Sequence, residues 1–305
     1  MKQKRRGLWP LLYGTVLVLF TAYVLLDTFV TPRRYAAVES TSSSGTTTAV
    51  SSEIGQTTPA AKTTVTADSY DDGTVSIKIT TYRVDNTSVY VADVTLSDPS
   101  ALQTAFAQGT FGKNITQTTS SIAQSAGAIL AINDDYYSAR SGYVIRNGVL
   151  YRSTSAGNSQ EDLVIYADGT FDIVTEGETS AEALLAAGAQ QVLSFGPGLM
   201  EDGQVAVTAN EEVDQAMTNN PRTAIGMISP LHYVLVVADG RTTQSTGLSL
   251  YQLASFMQEL GVQTGYNLDG GGSSTMVFNG TVINQPTTNG KTIAERKVSD
   301  IVCIG

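Results

Sequence analysis

The run YNLDGGGSSTMVFNG, Tyr266 to Gly280, places a carboxylate, Asp269, directly before three glycines and two serines. Glycine runs cost backbone entropy, so a folded domain keeps them where the chain bends sharply or approaches something closely. Successive glycine amides can point inward together as a concave nest for an anion. Here Gly270, Gly271 and Gly272 supply the amides, and Ser273 and Ser274 add hydroxyl donors. A carboxylate beside such a cradle suits hydrolysis at a phosphorylated carbon, with Asp269 as nucleophile or base. The competing structural reading is a tight strand crossover that binds nothing.

Other stretches carry groups of matching chemistry. In NNPRTAIGM, Arg222 precedes an apolar run, and a planar guanidinium can hold a phosphate bidentately. AINDDYYSARSG sets Asn133, Asp134 and Asp135 after the apolar run GAILAI. Adjacent carboxylates offer oxygen ligands for a divalent cation, or serve as turn residues. VVADGR puts Asp239 and Arg241 at another strand end. Glycosidases use two carboxyl groups around an oxocarbenium-like transition state. Asp239, Glu295 and Asp135 compete for the second of these beside Asp269.

The elements that must position these groups read as strands and hairpins. Asn147-Gly148, Asp168-Gly169, Asp202-Gly203 and Asn279-Gly280 each stand between alternating runs and supply the positive φ of a two-residue turn. TVSIKITTYRV and SVYVADVTL predict an opening strand pair. Helices are expected near Ala183, from Ser249 to a stop at Gly261, and as short pieces over 100–107 and 120–125. The class is therefore α+β, one domain with a mixed, largely antiparallel sheet and a few packing helices.

The 305-residue chain divides by composition. Residues 1–35 hold a basic stub, MKQKRR, then an apolar run from Gly7 to Val30, longer than the roughly 20 residues a membrane-spanning helix needs. The basic residues before the run outnumber Arg33 and Arg34 after it, which predicts a single-pass anchor with a cytoplasmic N-terminus and the remainder outside the cell. A cleaved signal would equally export the domain. Residues 36–68 are rich in Ser and Thr and read as a flexible tether, and 69–305 as the folded domain. That domain has 11 Lys and Arg against 24 Asp and Glu, which excludes a nucleic-acid partner. One histidine, His232, and one cysteine, Cys303, exclude multi-histidine zinc sites and intrachain disulfides, and argue against a Ser-His-Asp triad.

Taken in order, INDDYY, FGPGLMEDG, NNPRTAIG, VVADGRTTQSTGLSLYQLASFMQELG, YNLDGGGSSTMVFNG and ERKVSDIVCI resemble the phosphodiester glycosidase family. The resemblance implies hydrolysis that frees a sugar from a phosphodiester at its anomeric carbon. It carries the family's motif residues onto Asn133, Arg222, Asp239, Asp269 and Gly270 to Gly272. One departure is Asp134, where glycine is common in the family. The expected substrate is a glycosyl phosphodiester or an envelope polysaccharide. Three alternatives stay open: a non-catalytic wall-polymer binder, a metal-dependent phosphodiesterase using Asp134, Asp135 and Asp239, and a glycosyl-phosphate transferase.

Overall fold

The computed structural model describes residues 8–37, 63–157, 159–212 and 219–305. Most of the expected tether, 38–62, lies outside the described residues. Three larger sheets, one of nine strands and two of five, are accompanied by two two-stranded sheets among the described residues. Every named strand pairing among the described residues is antiparallel. The nine-stranded sheet reaches back to Thr64–Val65, a little before the boundary expected at 69.

Alternation explains the layering. In the strand His232–Ala238, Leu235 and Val237 face one side, while Val234 and Val236 face the other. The first side meets Leu130, Ile132, Met276 and Val302 of one five-stranded sheet and Leu163 and Leu193 of the other. The second side is covered by helix α4, Leu250–Glu259, through Leu253 and Met257. Ser249 caps that helix with a full capping box to Gln252, and Gly261 follows its end with φ +84°. The numbering α4 counts α1 at Leu8–Phe29, α2 at Thr119–Ala126 and α3 at Ala181–Ala186.

Asn147-Gly148, Asp202-Gly203 and Asn279-Gly280 all take positive φ at both residues and close hairpins. The helix expected over 100–107 is instead a single 3-10 turn, Pro99–Ala101, followed by the strand Leu102–Phe106. That strand pairs along its whole length with Asp300–Ile304, so a partner distant in sequence overrides local preference. His232 pairs with Asp93 across two strands at 2.9 Å, and Cys303 is buried.

This architecture brings four strand ends together. Asn133 ends Leu130–Asn133, Leu268 ends Thr264–Leu268, Ala238 ends His232–Ala238, and Arg222 begins Arg222–Ser229. Registers Thr223 to Leu268 and Arg222 to Ala238 fix three of these ends, and the Thr223 hydroxyl, donating to Asn133 Oδ1, ties in the fourth. Leu235 lies at the centre of the packed layers and is fully buried. Leu235→Ala should therefore cost about 2–5 kcal/mol. Urea unfolding should show this as a lower midpoint with an unchanged slope; an unshifted midpoint would contradict the layering.

Candidate functional site

The glycine loop leaves the nine-stranded sheet at Asp269 and is bolted down before it turns. The Asp269 amide donates to the Asp134 carbonyl at 3.2 Å. Asn133 Nδ2 donates to the Asp269 carbonyl at 2.5 Å, while Asn133 Oδ1 accepts from the Thr223 hydroxyl at 2.9 Å and the Thr275 amide at 3.1 Å. Asn133 is fully buried, and one side chain thus ties three segments. Its role here is positioning.

Beyond Asp269 the loop makes a short 3-10 turn, Gly271–Ser273. The Gly271 amide donates to the Pro221 carbonyl, and the Ser273 and Ser274 amides donate within the loop. None of these bonds uses the amides of Gly270 and Gly272. Gly271 has φ +62°, and a Cβ on Gly272 would lie 3.1 Å from the Thr288 Cα, so bulkier residues would force the loop open. The Ser274 hydroxyl is buried and has no hydrogen-bond partner.

Arginines surround the carboxylate. Arg296 Nη2 donates to Asp269 Oδ2 at 2.8 Å, and its Nε donates to the Ser273 hydroxyl at 2.8 Å. Its guanidinium stands 6.0 Å from the Tyr136 ring centroid. Arg241 approaches the loop from the other side, donating to Asn220 Oδ1 and to the Thr288 carbonyl at 2.6 Å. Arg140 lies 4.1 Å from the Phe195 ring centroid, and its field reaches Asp269. Burial pushes the Asp269 carboxyl above its ordinary range, while Arg296 and Ser273 pull it back. The result is a desolvated carboxylate held against cations, next to two loop amides that make no hydrogen bond within the loop.

The remaining expected residues take other places. Arg222, which the sequence offers as a bidentate phosphate grip, donates from Nε to the Leu248 carbonyl at 2.8 Å and pairs through Nη2 with Glu212 at 2.7 Å. Glu295 accepts from the Ser120 amide and hydroxyl, so it caps the first turn of α2 rather than offering a second acid. Asp239 Oδ1 accepts from Asn284 Nδ2 at 3.1 Å and the Gln285 amide at 2.9 Å. Asn284 in turn donates to the Ser274 carbonyl, so Asp239 supports the glycine loop from behind.

Asp134 and Asp135 form a buried cluster with Asp300, their oxygens within 4.8 Å of one another. The positive charge among them is a guanidinium: Arg146 Nη2 stands 2.8 Å from Asp135, 2.9 Å from Asp300 and 3.4 Å from Asp134. One cation faces three carboxyls. Burial raises Asp134 well above the usual carboxylate range and Asp300 to about 7, so the cluster retains a proton. Arg146 thus occupies the place that the sequence offered to a divalent ion. Arg296, Arg140 and Arg146 were all missed as site groups. Arg296 and Arg140 stood inside quoted motifs, but nothing in their spacing marked them apart from their neighbours.

A sequence model of the phosphodiester glycosidase family matches residues 126–305. The chain belongs to that family. Among its relatives is the SPbeta prophage-derived uncharacterized protein YomE of Bacillus subtilis, 30% identical over 199 residues, 64% of this chain and 30% of that one. The N-acetylglucosamine-1-phosphodiester alpha-N-acetylglucosaminidase of Mus musculus is 31% identical over 200 residues, 59% of this chain and 38% of that one. The chain therefore spans about a third of the length of these relatives. The catalytic domain of the zebrafish enzyme of the same name, auto-inhibited by its pro-peptide, shares the fold, with TM-score 0.59 at 23% identity over 75% of this chain and 82% of that one.

The charge cluster makes a pH prediction for this member of the family. Folding raises the Asp134 and Asp300 pKa values above the 3.8 of a free carboxyl, so the folded chain binds protons that the unfolded chain releases. The stability they contribute is full below about pH 4; the Asp300 share is lost as pH rises through about 7 and the Asp134 share as pH rises through its own raised pKa, by up to about 1.4 kcal/mol per unit for one group. Asp134→Asn removes that proton uptake. Denaturant unfolding across the range should show a shallower fall for the variant than for the native chain; parallel curves would contradict the assignment.

Proposed function

We propose that this chain is an exported, membrane-tethered hydrolase that releases a sugar from a glycosyl phosphodiester in envelope polysaccharide metabolism. The observation that carries the reading is the buried Asp269 carboxylate held against Arg296 at the start of a glycine loop whose Gly270 and Gly272 amides make no hydrogen bond within it. Family membership supports the reaction class. The apolar window Leu11–Phe29, exposed on the outside of α1, supports the tether. The relatives named N-acetylglucosamine-1-phosphodiester alpha-N-acetylglucosaminidase make N-acetylglucosamine 1-phosphodiesters the first substrates to try.

In this mechanism the phosphodiester binds with its non-bridging oxygens toward the loop amides, Arg296 and Arg241. These donors are fixed before the substrate arrives, so they stabilise developing charge without reorganisation. Asp269 acts at the anomeric carbon as nucleophile or as base to water. The departing group is a phosphate monoester whose second ionisation lies near pH 6, so it needs little protonation. One carboxylate and a strong anion hole then suffice, consistent with Glu295 and Asp239 being engaged elsewhere.

Asp269→Asn should lower kcat on the methyl phosphodiester of N-acetylglucosamine 1-phosphate by about 10²–10⁴-fold. Arg296→Lys keeps the charge but loses the planar fork, and should cost about 10²-fold through kcat rather than KM alone. Near-native turnover in a folded Asp269→Asn protein would remove that carboxylate from the chemistry.

A further inference from the structure

The anchor is fastened to the domain at its own end. Helix α1 closes at Phe29, with the Val30 and Thr31 amides donating back to the Leu26 carbonyl. Asn114 Nδ2 then donates to the Thr28 carbonyl at 3.3 Å and the Thr31 carbonyl at 3.1 Å. Two residues on, Arg33 and Arg34 pair antiparallel with Lys113 and Gly112. The Tyr35 amide donates to the Phe111 carbonyl at 2.9 Å, and the two rings stand 5.9 Å apart. A Cβ on Gly112 would collide with the Arg33 backbone, so the approach is as close as glycine permits. A span of 22 residues is about 33 Å long, enough for the bilayer core, so its docked end marks the membrane boundary.

A cavity of about 780 Å³ opens at this boundary. Thr28, Phe29 and Val30 of the anchor form one wall, and Tyr136, Arg140 and Arg152 of the domain form another. Phe29 and Val30 are largely exposed and would meet lipid, whereas the opposite wall is cationic. Among the described residues the lining holds Lys113, Arg140 and Arg152 but no Asp or Glu. Arg152 Nη2 is buried without a hydrogen-bond partner. The cavity also shares a wall with the candidate site. Tyr136 faces the Arg296 guanidinium that holds Asp269, and Arg140 acts on Asp269 electrostatically.

We infer that the substrate is a lipid-linked glycosyl phosphodiester, its phosphate near Arg140 and Arg296 and its hydrocarbon running past Phe29 into the bilayer. The inference rests on the reaction proposed above and adds the class of the leaving group. In the step, the bond between the anomeric carbon and the phosphate oxygen breaks, and the oxygen of water bonds to that carbon. One water proton stays on the sugar hydroxyl, the other passes to the phosphate or solvent, and a lipid phosphomonoester remains in the membrane. A cavity closed on one side by the anchor itself favours this over a soluble polymer, which would need no apolar wall there.

The test uses the full chain in nanodiscs of phosphatidylcholine and phosphatidylglycerol. Dodecyl and methyl phosphodiesters of N-acetylglucosamine 1-phosphate are compared by kcat/KM. The native chain should prefer the dodecyl ester by about tenfold or more, since each buried methylene strengthens binding. Any tethered domain meets membrane-concentrated substrate, so the deciding variant is Asn114→Ala with Tyr35→Ala, which loosens the docked end. Its preference should fall about tenfold toward unity. The ratio is taken within each protein, so a loss of folded fraction cancels. Equal rates in the native chain, or a preference undiminished in the variant, would overturn the inference.

A diazirine-bearing dodecyl ester provides a second measurement on the native protein. Irradiation should label peptides carrying residues 28–35 and 136–140; label confined to other regions overturns the lipid site. If the methyl ester turns over as fast as the dodecyl ester and the cavity is unlabelled, the lipid inference fails while the reaction stands. If neither ester is cleaved but the cavity is labelled, the reaction fails while the lipid site stands.

Discussion

The site depends on how Asp269 is held at both of its ends. Its carbonyl accepts from Asn133 Nδ2 at 2.5 Å, and its carboxylate accepts from Arg296 Nη2 at 2.8 Å. The first contact is buried and joins strands from two different sheets, so the loop cannot relax without breaking the junction between them. The second is more open, with Arg296 about a third exposed, and it leaves the guanidinium within reach of an incoming anion. A fixed backbone and an accessible charge are what pre-organised stabilisation of a leaving phosphate requires.

Beneath this junction lies a second layer of charge. Asp134 contributes its backbone to Asp269 and its side chain to the cluster around Arg146. Asp135 braces the 194 segment by accepting from the Ser194 amide at 2.8 Å. Such a buried cluster is weak evidence for stability, since desolvation opposes the attraction. Its bonds to backbone amides instead fix where neighbouring loops run. Asp134 therefore places a carboxyl, both of whose oxygens are buried without a hydrogen-bond partner, in the interior cluster rather than in the open part of the site.

Much of this was legible in the sequence, and the reasons are local. Positive-φ dipeptides, the Ser249 cap and the Asp-Gly-Gly-Gly-Ser block act through a few adjacent residues, so hairpins, α4 and the loop could be read directly. The residues misread were those whose partners are distant. Leu102–Phe106 became a strand because Asp300–Ile304 lies beside it. Arg222 and Arg296 look alike as isolated arginines, yet Glu212 and Leu248 take one and Asp269 takes the other. Glu295 is adjacent to Arg296 but turns toward the start of α2. No spacing rule separates such neighbours, because the choice is made by which loop the fold folds back against them.

The account's central claim is that Asp269 and the glycine loop direct chemistry to the anomeric carbon while the phosphate is merely held. Hydrolysis in water enriched with heavy oxygen, followed by mass spectrometry of both products, tests this most directly. The account predicts the label on the released sugar and none on the phosphomonoester. Label on the phosphate would mean that the phosphorus–oxygen bond is the one cut, and would contradict the role given to this site.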